Sequence, residues 1–349
     1  MRIPAYLAIA AALLLGCATT GGRSAQEPGL DPELTNYAYP FETRVFEVES
    51  QRQTLRMIYM DERPESWNGN TVLLLHGKNF SGAYWEPTIR ALLAEGYRVV
   101  APDQVGFGKS SKPERYQFSF SQLAANTLAL LDRLDVDQAV VVGHSMGGML
   151  AVRFALDHPA RTRRLILVNP IGLEDYRALA GYRTIDENYR QELAATPESI
   201  RAYQRDAYFA GEWKPEYDRY VEILSGWTQH PDYPRVAWNA ALTTDMVLTQ
   251  PVVHELPQIE QPTLLIIGTR DRTALGRGWA PADVAPAMGD YTTLGKRAAC
   301  AIPGARLVEL EGLGHMPQVE SFDAYVQPLL AFIGSDATQP PPQDCAAVE

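Results

Sequence analysis

Residues Gly143-His-Ser-Met-Gly-Gly148 follow the apolar run Ala139–Val142 and lead into a helical stretch that begins Met149-Leu-Ala-Val. A Gly-x-Ser-x-Gly sequence between a buried strand and a helix forces a turn too tight for side chains at its glycines. The serine at the apex takes a strained backbone conformation, and its hydroxyl projects at the helix N-terminus. Negative charge developing there meets free N–H groups and the positive end of the helix dipole. Ser145 is therefore the candidate nucleophile. The competing reading is a tight strand–helix turn whose serine only caps the helix.

A serine nucleophile needs a base to take its proton, and that base needs a carboxylate to orient it. His315 lies in Gly312-Leu-Gly-His-Met-Pro317, directly after a strand ending at Leu310. Asp271 lies in Gly268-Thr-Arg-Asp271, just past a strand ending at Ile267. Both loops fall on the sheet edge that carries Ser145, in the chain order Ser, Asp, His. Rival histidines have weaker contexts. His158 and His230 each precede a proline, His254 closes a long insertion, and His76 and His144 sit inside motifs whose loops they support. Among rival acids, Asp103 reads as the organiser of its glycine-rich turn, and Asn169, which follows the strand ending at Val168, carries no charge. Two backbone donors should face the developing oxyanion: the Met146 N–H, next to the nucleophile, and the Lys78 N–H, after His76-Gly77. The Lys78 ammonium either points to solvent or steers anionic substrates.

The elements that must position these residues show in the hydropathy pattern. Thr43–Glu49 and Gln53–Asp61 alternate apolar and polar residues around Ser50-Gln51-Arg52, as an antiparallel hairpin does. Continuous apolar strands then alternate with helices, and Ser119-Phe-Ser-Gln122 has the form of a capping box. This alternation implies an α/β fold: a mostly parallel twisted sheet of about eight strands with helices on both faces. Residues 41–171 and 257–333 are expected to form this core. Between them, 172–256 is rich in tyrosine and tryptophan and reads as a helical lid over the carboxyl ends of the strands. Its aromatics are expected to serve mostly as lid core, with two or three in the pocket.

The chain has 349 residues, 46% hydrophobic, with a net charge of −11. No basic run is present, which argues against a nucleic-acid partner. Neither a metal-ligand cluster nor a dinucleotide fingerprint is present, so no metal and no organic cofactor are expected, only a small-molecule acyl substrate. Residues 1–17 have a charged tip, a short apolar core and small residues before Cys17, as a secretory signal does. Leu14-Leu-Gly-Cys17 resembles the lipobox of bacterial lipoproteins, and Ala18 fits their outer-membrane sorting pattern. That resemblance implies a lipid on Cys17, the only membrane contact expected, and a location at the periplasmic face of the outer membrane. The competing reading is a plain signal peptide with an incidental cysteine, which leaves a soluble periplasmic or secreted protein. Residues 18–40 read as a flexible tether and 334–349 as a disordered tail. With Cys17 lipidated, Cys300 and Cys345 remain, either as a disulfide pinning the tail or as two thiols.

His76-Gly77, Asp103-x-x-Gly106-x-Gly108-x-Ser110, the Ser145 motif, Gly268-x-x-Asp271 and Gly314-His315 together resemble the α/β-hydrolase superfamily over residues 42–333. The lidded branch it resembles includes esterases, carbon–carbon bond hydrolases, haloperoxidase-like enzymes, epoxide hydrolases and proline iminopeptidases. The resemblance implies acyl-enzyme chemistry at Ser145. Epoxide and haloalkane hydrolases carry aspartate at the nucleophile position. Proline iminopeptidases and ring-cleavage hydrolases carry glycine-rich oxyanion loops unlike His76-Gly-Lys-Asn-Phe80. A serine esterase is the reading that survives. Cleavage of a C–C or amide bond on the same triad, and a non-catalytic binding protein, are its competitors.

Overall fold

The computed structural model describes residues 29–335 and 345. The predicted hairpin forms as β1 (Thr43–Ser50) and β2 (Gln53–Glu62), antiparallel and in register from Thr43↔Met60 to Ser50↔Gln53. Its two-residue turn holds Gln51 and Arg52 at positive φ, as the twist of such hairpins requires. Six strands follow: β3 (Thr71–Leu75), β4 (Arg98–Pro102), β5 (Ala139–His144), β6 (Thr162–Val168), β7 (Thr263–Gly268) and β8 (Arg306–Leu310). The eight strands form one sheet in the order β1-β2-β4-β3-β5-β6-β7-β8. Only the pairings of β2 are antiparallel; β3 to β8 pair in parallel. Strands β3, β5 and β7 are buried along their whole length, which explains why they read as continuous apolar runs.

Helices α1 (Glu86–Ala94), α2 (Phe120–Arg133) and α3 (Met146–Asp157) connect the first parallel strands. The cap of α2 forms only in half. Ser119 Oγ accepts from Gln122 N at 3.0 Å, but the Gln122 side chain turns forward to Asn126 instead of back to the cap. Between β6 and β7 lie α4 (Tyr176–Ala180), α5 (Ile185–Leu193), α6 (Pro197–Tyr208), α7 (Glu222–Thr228) and α8 (Tyr233–Thr249). α5 opens on a full capping box between Thr184 and Glu187. The chain ends with α9 (Tyr291–Ala301) before β8, then α10 (Pro317–Glu320) and α11 (Phe322–Gly334). Two apolar clusters cover the two faces of the sheet. One gathers α2, α3 and α9 with Leu73, Val141 and Leu265; the other gathers α1 and α11 with Leu74, Val142 and Ile266.

Two described parts of the terminal segments, residues 29–40 and Cys345, are tied to the fold. The tether expectation is corrected for residues 29–40, which are packed. Leu34 is fully buried with Trp227 and Val236, the Leu30 N–H bonds Gly226 O at 3.0 Å, and Tyr39 donates to Asp103 at 2.7 Å. Burying one leucine and two aromatic rings outweighs the polar character that the segment shows in one dimension. Cys345 is joined to Cys300 on α9 by a disulfide, with their Cα atoms 5.7 Å apart. The signal and lipobox readings, Cys17 included, the tether reading of 18–28 and the tail reading of 336–344 and 346–349 lie outside the described residues.

Candidate active site

Ser145 sits between β5 and α3 at φ 56° and ψ −123°, a conformation that costs a non-glycine residue of order 1–3 kcal/mol. Close packing enforces it. A Cβ on Gly143 would lie 2.1 Å from Gly147 O, and one on Gly147 would lie 2.1 Å from Leu75 O. The serine hydroxyl makes no capping bond to α3, so the cap reading of the motif fails. Ser145 Oγ lies instead 2.9 Å from His315 Nε2. His315 Nδ1 lies 2.7 Å from Asp271 Oδ2. His315 and Asp271 are fully buried, and Ser145 keeps only 5% of its surface exposed.

Each member is held by its own set of bonds. Asp271 accepts from Thr273 N at 2.8 Å through Oδ1 and from Asn169 Nδ2 at 2.9 Å through Oδ2. Asn169 therefore acts as a brace: its Oδ1 accepts from Gly268 N at 2.8 Å, tying the end of β6 to the loop after β7. His315 N donates to Tyr208 O at 3.1 Å, and its carbonyl accepts from His144 Nε2 at 2.8 Å. His144 Nδ1 faces Tyr84 Oη at 3.0 Å, so the ring is a neutral bridge with its proton on Nε2. Burial pushes the His144 pKa well below the usual histidine value, and the neighbouring His315 pushes the same way.

The glycine-rich turn is organised by Asp103, which accepts from Gly82 N at 2.6 Å and Lys109 N at 2.7 Å. Gly108 is at φ 48°, and a Cβ there would lie 2.1 Å from Asp103 Oδ2. His76 accepts from Gln104 N at 3.0 Å and so fixes the loop that leads to Lys78. A Cβ on Gly77 would meet Ser145 Cβ at 3.1 Å, which places the chain entering Lys78 directly against the serine. The Lys78 N–H has no intramolecular acceptor among the described residues. Met146 supplies the first amide of α3, where no carbonyl stands one turn back to receive it.

The lid closes over this edge. The Tyr208 ring, at the end of α6, lies 4.6 Å from the His315 ring, and its hydroxyl accepts from Asn79 Nδ2 at 2.8 Å. Neither residue was among the sequence candidates. Asn79 had a local cue, adjacency to Lys78, whereas nothing in the sequence distinguishes Tyr208 from the other lid tyrosines. A cavity of about 640 Å³ lies between lid and core, with Lys78, Asn79, Phe107, Tyr203, Trp227 and Trp279 in its wall. Of the lid aromatics, Tyr203, Trp227 and Tyr233 line it, while Tyr176, Tyr208, Phe209 and Tyr217 are buried. Ala274 to Trp279, from the loop after β7, add a wall that the reading of 172–256 as the whole cover did not include. Lys78 Nζ reaches Glu192 Oε1 on α5 at 3.3 Å, so this side chain spans from core to lid and does not point to solvent.

Comparison with known proteins agrees with this architecture. The family model described as the alpha/beta hydrolase fold matches residues 70–322. The crystal structure of a probable hydrolytic enzyme from Pseudomonas aeruginosa PAO1 is similar at 50% identity and a TM-score of 0.87, covering 88% of this chain and 99% of that one. A 2-hydroxy-6-oxo-2,4-heptadienoate hydrolase of Pseudomonas putida is 28% identical over 221 residues, 58% of this chain and 73% of that protein. A putative carbamate hydrolase of Variovorax paradoxus is 38% identical over 102 residues, which span only 38% of its own length. The sheet order, the strand–serine–helix turn and the match over most of its length make this chain a member of the α/β-hydrolase fold family.

Proposed function

We propose that the protein is a serine hydrolase that cleaves a carboxylic ester through an acyl-enzyme. The observation that carries this reading is the unbroken line from Ser145 Oγ through both nitrogens of His315 to Asp271, at 2.9 and 2.7 Å. His315 takes the serine proton as Oγ attacks the acyl carbon, then returns it to the leaving oxygen. Asp271 orients the imidazole and stabilises its cation. The amides of Met146 and Lys78 receive the oxyanion in a site from which water is largely excluded, where fixed dipoles act most strongly. Similarity to named hydrolases supports hydrolysis in general. The ester is favoured by the oxyanion loop, whose Lys78-Asn79-Phe80 departs from the loops of the C–C hydrolases and iminopeptidases it resembles.

Reaction with a fluorophosphonate probe tests the class. Labelling of the native protein and its loss in Ser145→Ala are expected. A folded protein that stays unlabelled, or labels equally in that variant, overturns the serine-hydrolase reading. We further propose export and lipidation at Cys17, a reading supported by the Cys300–Cys345 disulfide, a bond of oxidising compartments. The mass of the mature N-terminal peptide tests it: a diacylated Cys17 is expected, and an N-terminus at any other residue refutes it.

A further inference from the structure

We infer that the substrate carries a carboxylate, received in the lid cavity by Arg183 with Lys78 as the second cation. This rests on the hydrolase reading and adds a substrate class to it. The cavity wall holds three formally charged side chains: Lys78, Arg183 and Glu192. Two cations face one anion, inside a chain whose net charge is −11. The sign of the cavity is thus opposite to that of the molecule. A cleft with apolar walls focuses such a field and draws in ligands of opposite charge.

The two cations are not equivalent. Lys78 is matched by Glu192 at 3.3 Å. Arg183 has no carboxylate within 4.0 Å among the described residues, and the Glu187 carboxylate, which feels its charge from farther away, is bonded instead to Thr184. Its Nη1 donates to the Gln191 side chain and its Nη2 to Glu187 O at 3.4 Å, both uncharged acceptors. Its guanidinium also lies over the Trp279 ring, 5.1 Å from the centroid. The group is thereby held in place while three of its five N–H donors stay free, the arrangement that suits bidentate capture of a carboxylate. Other donors in the wall point the same way. Asn188 Nδ2, Trp279 Nε1 and Gln204 Nε2 are buried without partners among the described residues, against one unpaired acceptor in the wall, Gln204 Oε1, a surplus of donors that an acceptor-rich anion would meet.

Position relates the charge to the chemistry. Lys78 lines the cavity and directly follows Gly77, where an added Cβ would lie 3.1 Å from Ser145 Cβ. It thus links the serine to a cavity whose own wall does not include Ser145, Asp271 or His315. Arg183 stands on the lid just ahead of α5. A substrate with its ester at Ser145 and a carboxylate farther along the chain spans from core to lid. Its carboxylate brings a second negative charge beside the pair that Lys78 makes with Glu192, so Glu192 opposes binding and Arg183 favours it. Glu192→Gln should then improve anionic substrates, and Arg183→Met should impair them.

The experiment compares monoaryl esters of adipic, suberic and sebacic acids with aryl hexanoate, octanoate and decanoate. A second arm places the carboxylate on the alcohol side. The readout is the ratio of kcat/KM for anionic over neutral ester at equal length. In the native protein at least one anionic series should exceed its neutral match by about tenfold or more, falling with ionic strength. The ratio should drop about tenfold in Arg183→Met, recover partly in Arg183→Lys, and rise in Glu192→Gln. Fluorophosphonate labelling at the native rate shows that each variant is folded. A ratio near one in the native protein, or one unmoved by Arg183→Met, overturns the inference while leaving the hydrolase reading intact. Absence of turnover on every ester together with absence of labelling overturns both.

Discussion

The core edge and the lid meet at the same site but are built in different ways. At the core edge, Ser145, Asp271 and His315 are almost wholly buried, and each is fixed by main-chain or buried side-chain bonds. In the lid, the cavity wall mixes buried side chains such as Gln204, Trp227 and Val236 with partly exposed ones such as Arg183 and Glu192, on helices held by surface ion pairs, ring contacts and capping boxes. Tyr203 shows the difference well. It exposes half its surface and lines the cavity. Chemistry is thus assigned to the part that cannot move without breaking buried bonds, and selection of substrate to a part that can be rebuilt one side chain at a time.

Substitutions at the core edge should therefore cost orders of magnitude, and those in the lid single-digit or tenfold factors. Ser145→Ala should reduce kcat by about 10⁶-fold with little change in KM, measured on an aryl ester. Asp271→Asn should cost about 10⁴-fold, because the amide holds the wrong tautomer of His315. Asn169→Leu tests the brace. It leaves Asp271 Oδ2 with His315 alone and Gly268 N without an acceptor, and kcat should fall by about 10- to 100-fold. Asn169→Leu with native kcat would break the contrast between the regions. On the lid side, Tyr208→Ala should lower kcat about tenfold, while Tyr208→Phe, which keeps the ring against His315 but loses the bond to Asn79, should stay within about threefold.

Much of the core edge was legible because its geometry admits few residue types. The serine turn needs Gly143 and Gly147, and the chain must pass beside Ser145 at Gly77. Charged or polar residues at the ends of apolar strands then stand out against their surroundings. Asn169 was legible as a position but not as a role: excluded as a triad acid, it serves the acid it was compared with. The lid was legible only as a mass of aromatics. Tyr203 and Tyr217 look alike in sequence, yet one lines the cavity and the other stacks on Phe209 at 3.9 Å, a distinction made by packing between helices. The same limit hid residues 29–40, whose partners Trp227 and Asp103 are far away along the chain.

One buried lysine joins the two regions and gives the smallest expected effect. Lys112 Nζ donates to Gly108 O at 2.6 Å and to Ser110 O at 3.0 Å, and lies 5.1 Å from the centroid of the lid's Trp227 ring. Burial lowers its pKa from 10.5 to about 7. Between those values the unfolded chain binds the proton and the folded protein releases it, so the contribution of Lys112 to stability rises with pH from about 7 to about 10.5. Thermal unfolding of the native protein should gain on Lys112→Met across that interval. A difference in Tm that does not change with pH would show that Lys112 keeps its proton in the fold.

The most direct test of the central claim is an acid quench during turnover of an aryl ester, followed by mapping of the acyl group. A pre-steady-state burst of aryl alcohol close to one equivalent is expected, with the acyl mass on the peptide containing Ser145 and neither in Ser145→Ala. Steady hydrolysis with no acylated peptide, or an acyl group on any other residue, would contradict the assignment of Ser145 as nucleophile.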